Sequence, residues 1–459
     1  MNDNRLVLAT ICLASFITPF LASSVNVALP TINSDFAVPD QALLGWVVTG
    51  FLLSAAIFVV PFGRIADMIG RKKIFVTGMS IIIVSSILCS ASTSIEMLIA
   101  SRVVEGLGSA MIFGTGIAII TAVFPASERG RVLGINVAIV YLGASTGPFL
   151  GGIITEHAGW RFIYAGVAIL AALVAALSQR FIREEWRPWE SGSFDYLGSA
   201  LYGGTLFCLM YGLSLIPDWS GAYLLIIAAA LMAALLSWEA RSPNPVIKIS
   251  VFRHNTVFLF SNLAALINYS ATFAVGFLLS LFLQYMKGYD PQTAGMILMA
   301  QPIVQAVFSP IAGRLSDRIE PRIVASIGMG LCVVGLTGLG FLTPETAIDT
   351  ILASLVLLGL GFALFSSPNT NAIMSSVDQS DYGMASGMVS TMRLIGQMMS
   401  LGVAMLIFSV IMGHVEIAPE QLDELMVSIK VAFGIFAGLC AMGTIFSLAR
   451  GNLGREACR

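Results

Sequence analysis

Fourteen apolar stretches, each about as long as a membrane-spanning helix, dominate this 459-residue sequence. A helix needs about 20 mostly apolar residues to cross the hydrocarbon core of a bilayer, and helices are expected because each satisfies its own backbone hydrogen bonds without water. The composition agrees, since 57% of the residues are hydrophobic and only 11% are charged, whereas soluble domains carry about 25% charged residues. The sequence therefore predicts an all-α integral membrane protein. Its predicted spans are 6–28, 43–62, 74–94, 97–123, 132–154, 161–182, 195–215, 221–239, 257–283, 291–312, 323–342, 347–370, 384–411 and 429–449.

The distribution of Lys and Arg residues predicts how these spans are oriented. If the spans alternate in direction, 19 of the 24 basic residues fall on the side of both chain ends, three fall on the other side and two lie within spans. Basic residues accumulate on the cytoplasmic side of membrane proteins. We therefore expect a multi-pass protein of the plasma (inner) membrane with cytoplasmic N- and C-termini. The first apolar run exceeds the roughly 7–15 residues of a signal-peptide core, so we interpret it as the first span.

Two charged loop motifs reveal an internal repeat. "GRIADMIGRKK" (63–73) follows the second span, and "GRLSDRIEPRI" (313–323) follows the tenth, which is 250 residues and eight spans later. "GRVLGINVAIVYLG" (130–143) and "GMASGMVSTMRLIG" (383–396) share glycine spacing as well. A seven-helix repeat would place the second loop motif after span nine. The offset instead favours two six-helix halves.

The repeat predicts the domain organisation. We expect an N-terminal six-helix bundle in residues 1–183, a linker with two inserted spans in 184–256, and a C-terminal six-helix bundle in 257–459. Internally repeated helix sets are typical of transporters, whose substrate site lies between the repeats.

The motifs resemble those of the major facilitator superfamily, and specifically its fourteen-span drug:H+ antiporter branch of the multidrug efflux type. "GRIADMIGRKK" is similar to the loop signature between helices 2 and 3 of that superfamily, "RVVEGLGSA" (102–110) to the fourth-helix signature, and "GASTGPFLGG" (143–152) to the fifth-helix antiporter signature. The resemblance covers nearly the whole chain and implies the major-facilitator fold and an export function. Further matching segments are "NVALPTI" (26–32), "GWRFIY" (159–164), "FDYLG" (194–198), "LFLQYMKGYDPQTAG" (281–295) and "GFALFSSPNTNAIM" (361–374).

This chain departs from the branch at two positions. The branch usually has an Asp in helix 1, where this chain has Leu21, and a Gln in helix 4, where this chain has Glu105. Without a helix-1 carboxylate, recognition of cationic drugs through helix 1 does not carry over. The resemblance is compatible with proton coupling through a relocated acid.

Arg102 and Glu105 form an i,i+3 pair within an apolar span, so they share one face of the helix. An unpaired charge at the bilayer centre costs about 2.5–3.5 kcal/mol on insertion scales. The pair is therefore expected to face the bundle interior. Two interpretations remain open: a proton relay or substrate contact, or a permanently paired structural strut.

Other motifs predict two contacts between the halves, a seam of small residues and a latch of charged residues. Gly143, Gly147 and Gly151 recur every four residues around Pro148, and small residues let membrane helices approach closely, so we expect a seam between the halves. By resemblance, a conformational latch is expected at the two loop motifs, where Asp67 and Asp317 would each contact a helix N-terminus of the opposite half. An anion is favoured at such an end. The latch candidates are Gly63, Asp67, Arg71, Gly313 and Asp317.

Polar residues inside the predicted spans outline a substrate cavity. A lone Asn or Gln in a membrane helix more often binds a neighbouring helix than a ligand, and the span of Arg393 contains no acidic residue. Arg393 can therefore pair across helices, donate to carbonyls or meet an anionic group of a substrate. The cavity candidates are Ser24, Asn26, Ser109, Asn136, Tyr141, Asn262, Asn268, Tyr269, Gln301, Gln305, Asn369, Arg393 and Gln397.

The sequence contains no phosphate-binding loop, no paired metal-ligand motif and no nucleophile elbow, and its six Cys residues are scattered singly. We expect no cofactor, no metal and no enzymatic activity, and the net charge of −2 gives no electrostatic case for nucleic acid. The predicted function is proton-coupled export of small lipophilic molecules by alternating access, by a monomer in the lipid bilayer, with Glu105 and Arg102 as coupling residues. The alternatives are export of a lipid or an anionic metabolite, transport without a drug substrate, a membrane enzyme, or a receptor or scaffold that does not transport.

Overall fold

The computed structural model describes residues 2–36, 41–187, 193–216, 218–413 and 421–451. Every regular element in this part of the chain is helical. A short helix, Ile249–His254, precedes the helix that begins at Thr256, and a π-helical turn, Phe282–Met286, ends that helix. The long helices are α1 (Asn2–Phe36), α2 (Gln41–Ile69), α3 (Arg71–Ser90), α4 (Ile95–Val123), α5 (Ala126–His157), α6 (Arg161–Phe181), α7 (Tyr196–Ser214), α8 (Trp219–Glu239), α9 (Thr256–Met286), α10 (Gln292–Ser316), α11 (Pro321–Gly340), α12 (Ile348–Ser375), α13 (Tyr382–Met412) and α14 (Leu422–Ala449).

The long helices have the properties of membrane spans. Within the described residues, 13 of them combine sufficient length with high hydropathy. The remaining one, α7, has 19 residues and is rich in Gly and Tyr. Large apolar side chains point away from the bundle, and Ile169, Phe341 and Val410 are 74–78% exposed. An apolar surface of this kind suits lipid, so the predicted all-α membrane fold is confirmed.

Local sequence signals explain where several helices begin. Gly70 lies between α2 and α3 with a φ of 125°, a conformation that glycine adopts at little cost. The side chains of Ser94, Asp195, Asn255 and Asp290 each accept a backbone N–H in the first turn of α4, α7, α9 and α10. Such caps satisfy amides that have no partner within the helix.

The helices form two six-helix bundles with matching internal contacts. In the first bundle α1 packs against α5 and α2 against α4; in the second, α9 packs against α13 and α10 against α12. Buried apolar side chains fill each bundle, around Trp160 and Tyr164 in the first and around Phe282 and Phe433 in the second. The main contacts between the bundles are those of α2 with α13 and of α5 with α10, and α4 with α13 and α5 with α12 add smaller ones.

The inserted pair α7 and α8 lies against this contact. Helix α7 packs on α2 of the first bundle and on α13 of the second. The Tyr202 hydroxyl lies 3.3 Å from the Ala56 carbonyl oxygen and 2.7 Å from the Thr391 hydroxyl. Helix α7 therefore touches both bundles, whereas α8 is outside it and has few buried residues.

Bare backbone joins the two bundles at several glycines. A Cβ at Gly63 would overlap the Gly383 carbonyl oxygen, and a Cβ at Gly313 would overlap that of Gly130. A Cβ at Gly134 would lie 2.5 Å from the Ser309 carbonyl oxygen. Only glycine allows this approach, so the start of α5 and the start of α13 supply the glycine contacts between the halves.

The glycine stripe that the sequence predicted as this seam has a different partner. A Cβ at Gly143 would lie 2.5 Å from the Phe16 carbonyl oxygen, and Gly147 and Gly151 face Ser23 and Ser24. These residues belong to α1 of the same bundle. The stripe around Pro148 is a tight helix contact inside the first bundle, and its assignment between the halves was wrong, because α5 meets α10 near its start and α1 further along.

Candidate functional site

The charged segments 63–73, 129–131 and 313–322 lie at one end of the bundle, which we call the basic face. Asp67 accepts hydrogen bonds from the Gly383 amide, at 3.0 Å, and from Arg71 Nε, at 2.9 Å. Arg71 Nη2 also donates to the Gln379 carbonyl oxygen at 2.6 Å. The Asp67 carboxylate is fully buried at the start of α13, where the unpaired amides of the first helical turn favour an anion. Asp67 and Arg71 of the first bundle thus hold the second bundle.

The repeated motif makes the matching contact in the other direction. Asp317 accepts from the Gly130 amide at 2.6 Å and from the Arg131 amide at 2.9 Å, near the start of α5. Burial raises the pKa of Asp317 above its usual value, and the hydrogen bonds from these two amides oppose that rise. The structure places both predicted latch carboxylates at helix starts of the opposite half.

Asp381, which sequence reasoning missed, forms the third contact. Its carboxylate lies 3.2 Å from Arg64 Nη1 and 2.8 Å from Lys248 Nζ, and its side chain is 6% exposed. The two cations come from α2 and from the segment after α8. Because Asp381 is more than 130 residues from each of these partners in sequence, no local sequence pattern predicts the contact. With these contacts in place, the two bundles touch each other across the basic face.

A cavity of about 430 Å³ lies between the bundles, within the 300–1,000 Å³ typical of small-molecule sites. Helices α1, α2, α4, α5, α7, α9 and α13 contribute to its wall. The lining residues of α2 precede the turn at 63–73 by two turns or more, so the cavity lies away from the basic face. Asn26 and Phe273 line it and are exposed. Its aromatic lining residues are Phe51, Phe113, Tyr141, Phe273 and Phe277.

Four of the predicted cavity residues line this space: Asn26, Tyr141, Arg393 and Gln397. A smaller pocket of about 30 Å³ adjoins it, and Tyr141 and Arg393 line both. The predicted residues Asn136 and Tyr269 line the small pocket. There the Tyr141 and Tyr269 hydroxyl oxygens are 3.3 Å apart. The pocket can hold about one water molecule.

The other predicted cavity residues do not line the cavity. Asn369 Oδ1 accepts from Arg450 Nη1 at 2.8 Å, and Asn262 Nδ2 donates to the carbonyl oxygen of the preceding turn. Sequence alone could not separate them from ligand contacts, because amides that join helices and amides that face a cavity occur in the same apolar spans. The remaining predicted cavity residues lie within the bundles: Ser24, Ser109, Asn268 and Gln305 are buried, and Gln301 is half-buried.

Arg102 and Glu105 lie inside the first bundle, and both are fully buried. Arg102 Nη1 donates to Glu105 Oε2 at 2.6 Å, and the Ser86 hydroxyl donates to Glu105 Oε1 at 2.6 Å. Arg102 Nε donates to the Val47 carbonyl oxygen at 2.9 Å, and its guanidinium carbon lies 4.2 Å from the centre of the Phe51 ring. The predicted interior position is therefore observed. Neither charge lines the cavity; the Phe51 ring stands between Arg102 and that space.

Two repeated six-helix bundles around a central cavity have the architecture of a membrane transporter. The Major Facilitator Superfamily model matches residues 11–261 and 261–455, and the chain belongs to that superfamily.

Relatives and solved structures agree with this assignment. The chain is 27% identical over 448 residues to the riboflavin transporter RibZ of Clostridioides difficile (strain 630), covering 98% of each. It is 33% identical over 385 residues to the multidrug resistance protein Stp of Mycobacterium tuberculosis, covering 83% of this chain and 71% of Stp. The crystal structure of the human organic anion transporter MFSD10 (TETRAN) matches with a TM-score of 0.68 at 14% identity, covering 97% of this chain and 99% of that one. The last match shows a shared fold.

Proposed function

We propose that this transporter exports small lipophilic molecules by alternating access and that protons drive the export. The protein lies in the plasma (inner) membrane with its basic face in the cytoplasm. The observation that carries the proposal is the pairing of a closed basic face with a central cavity displaced from it. Such a state is the one in which alternating access shuts the cavity off from the cytoplasm, and the name of the relative Stp, a multidrug resistance protein, supports export as the direction. The surplus of Lys and Arg on the basic face supports a cytoplasmic position.

The contacts at the basic face are suited to repeated breaking. The bundles meet there through glycine backbone and through Asp67, Asp317 and Asp381. When the bundles separate, each carboxylate becomes exposed to water. The first turns of α13 and α5 then lose the carboxylates of Asp67 and Asp317. Buried apolar side chains also meet here, with Val59 and Val60 of the first bundle in one cluster with Met384 of the second. Opening therefore costs apolar burial as well as polar contacts that water can replace.

Glu105 is the proposed proton site. The described residues contain four buried carboxylates, and Asp67, Asp381 and Glu239 belong to the basic face. Glu105 alone lies away from it, and Arg102 links it to the Phe51 ring at the cavity wall. Protonation of Glu105 would release Arg102 from its ion pair and alter its packing on Phe51. A buried ionisable group within a span is functional by default.

The cavity wall supports a lipophilic substrate, because aromatic and aliphatic side chains form most of it. The names of the relatives, a riboflavin transporter and a multidrug resistance protein, point to organic molecules as well. The cavity is complete within one chain, which supports the proposed monomer.

The test is flux into proteoliposomes. An exporter that exchanges substrate for protons accumulates substrate in liposomes with an acidic interior. We expect accumulation of at least one compound from a panel of riboflavin and lipophilic drugs, and its loss when the pH gradient is collapsed. If no compound accumulates, the exporter proposal is wrong.

Glu105→Gln tests the proton site separately. We expect the variant to lose gradient-driven accumulation and to retain exchange of labelled for unlabelled substrate without a gradient. Glu96→Gln is the matched control, because Glu96 is exposed on the same helix and should leave accumulation unchanged. Accumulation by Glu105→Gln at the wild-type level would show that another group carries the proton.

A further inference from the structure

Among the described residues that line the central cavity, Arg393 has the only charged side chain. It is the twelfth residue of the 31-residue helix α13, so it lies deep in the membrane. No hydrogen bond or ion pair joins its guanidinium group to the described part of the chain. Its close partner is the Phe113 ring, whose centre is 4.6 Å from the guanidinium carbon. A ring face compensates a desolvated cation only partly, so Arg393 favours an anion from the cavity.

Arg102, which also lies within a span, differs from Arg393 in the partners of its guanidinium group. Arg102 has Glu105 at 2.6 Å and is fully buried. Arg393 has no carboxylate beside it in the described part of the chain, and it is partly exposed. A cation held for structure is neutralised by the protein, as Arg102 is. Arg393 presents its charge to whatever occupies the cavity.

The surroundings of Arg393 fit a flat aromatic ring that carries a negative group. Phe51, Phe113, Phe273 and Phe277 supply ring faces and edges to the cavity wall. Behind Arg393, the small pocket offers the Tyr141 hydroxyl and room for about one water, which can solvate the second oxygen of a carboxylate. Lipophilic cations meet an uncompensated positive charge and no acidic partner among the lining residues, so they are disfavoured.

We propose that the central cavity binds aromatic monoanions, with the anionic group on Arg393 and the ring system between the phenylalanines. This inference rests on the proposed function, because it names the substrate class of the same cavity. It requires binding only, and it can be tested without transport.

The test compares three naphthalene probes of similar size and different charge: 1-naphthoate, 1-naphthamide and 1-naphthylmethylammonium. Binding to the full-length protein in lipid nanodiscs is measured by titration calorimetry. We expect 1-naphthoate to bind about tenfold more tightly than 1-naphthamide, since a charge-assisted bond to guanidinium is the stronger kind. The ammonium probe should bind more weakly than the amide. Equal affinity for the acid and the amide, or no binding of the acid, overturns the proposal.

Variants assign the preference to Arg393. In Arg393→Gln the acid should lose its advantage, and the amide should bind as in the wild type, which reports an intact cavity. Arg393→Lys should keep part of the preference because it keeps the charge. Arg318→Gln, an exposed site on the basic face, is the control and should behave as the wild type. A preference for 1-naphthoate that survives in Arg393→Gln overturns the proposal; if that variant does not fold, the probe ranking and Arg393→Lys decide.

Flux and binding results together separate the two proposals. Preferred binding of 1-naphthoate through Arg393 with no accumulation in proteoliposomes would support the site and refute the exporter. Accumulation of a compound without any preference for 1-naphthoate would support the exporter and refute the anion site.

Discussion

Closure of the basic face depends on Gly313 having no side chain, which makes Gly313→Ala a direct test of the closing contact. The added Cβ would overlap the Gly130 carbonyl oxygen on the opposite bundle. That atom is backbone in α5 and cannot move away by a rotamer change. The bundles must therefore separate at this point by about 1 Å or more to reach van der Waals distance. The variant should favour the open basic face.

The size of the shift follows from the hydrogen bonds that separation breaks. The Ser367 hydroxyl donates to the Gly130 carbonyl oxygen at 3.3 Å, a neutral bond worth about 0.5–1.5 kcal/mol. Asp317 accepts two amide bonds, at 2.6 and 2.9 Å. Burial of its carboxylate offsets part of their value, so we count both together at about 1.5–3 kcal/mol. Together these bonds amount to about 2–4.5 kcal/mol, which corresponds to a roughly 30- to 2,000-fold shift in the ratio of open to closed basic face.

The assay is a pulsed electron–electron distance measurement across the basic face. Spin labels at Ser127 and Arg318 are suitable, because both residues are exposed and belong to opposite bundles. The native cysteines are replaced first. We expect the short-distance population to fall in Gly313→Ala and to stay at the wild-type level in Gly330→Ala. Gly330 is the matched control because a Cβ there meets nothing within 4 Å. Identical distance distributions in the two variants would refute the reasoning.

Two further predictions concern buried charges. Asp381→Asn removes the ion pairs to Arg64 and Lys248, and we expect the open basic face to gain at least about tenfold by the same distance measurement; an unchanged distribution would show that this cluster does not hold the face closed. Arg102→Met leaves the buried Glu105 carboxylate without its cation, which should cost about 3–5 kcal/mol and lower the melting temperature of the purified protein. Adding Glu105→Met should recover most of that loss; a double variant as unstable as the single one would contradict this account.

Sequence was sufficient for the parts of the fold that depend on composition and repetition. Apolar length sets the spans, and the loop motifs recur with the same offset as the helices around them. The position of Asp317 therefore follows from that of Asp67, and the structure places each at a helix start of the opposite half.

Sequence was insufficient where a helix has more than one neighbour. Spacing shows that Gly143 and Gly147 share a face of α5, but it does not show that this face meets α1 instead of the second bundle. The same limit applies to Asn369, which binds Arg450 rather than the cavity. Asp381 and Lys248 were missed because their contact exists only after distant segments come together. Aromatic residues of the cavity wall could not be predicted either, because they occur in the same apolar spans as those that face lipid.

The contacts of α7 with both bundles limit how the bundles can move against each other. Tyr202 reaches Ala56 on one bundle and Thr391 on the other through a single hydroxyl group. A rigid rotation of one bundle against the other cannot preserve both distances. Under the proposed alternating access, the inserted helix pair would keep its contacts with one bundle and exchange those with the other in every transport cycle.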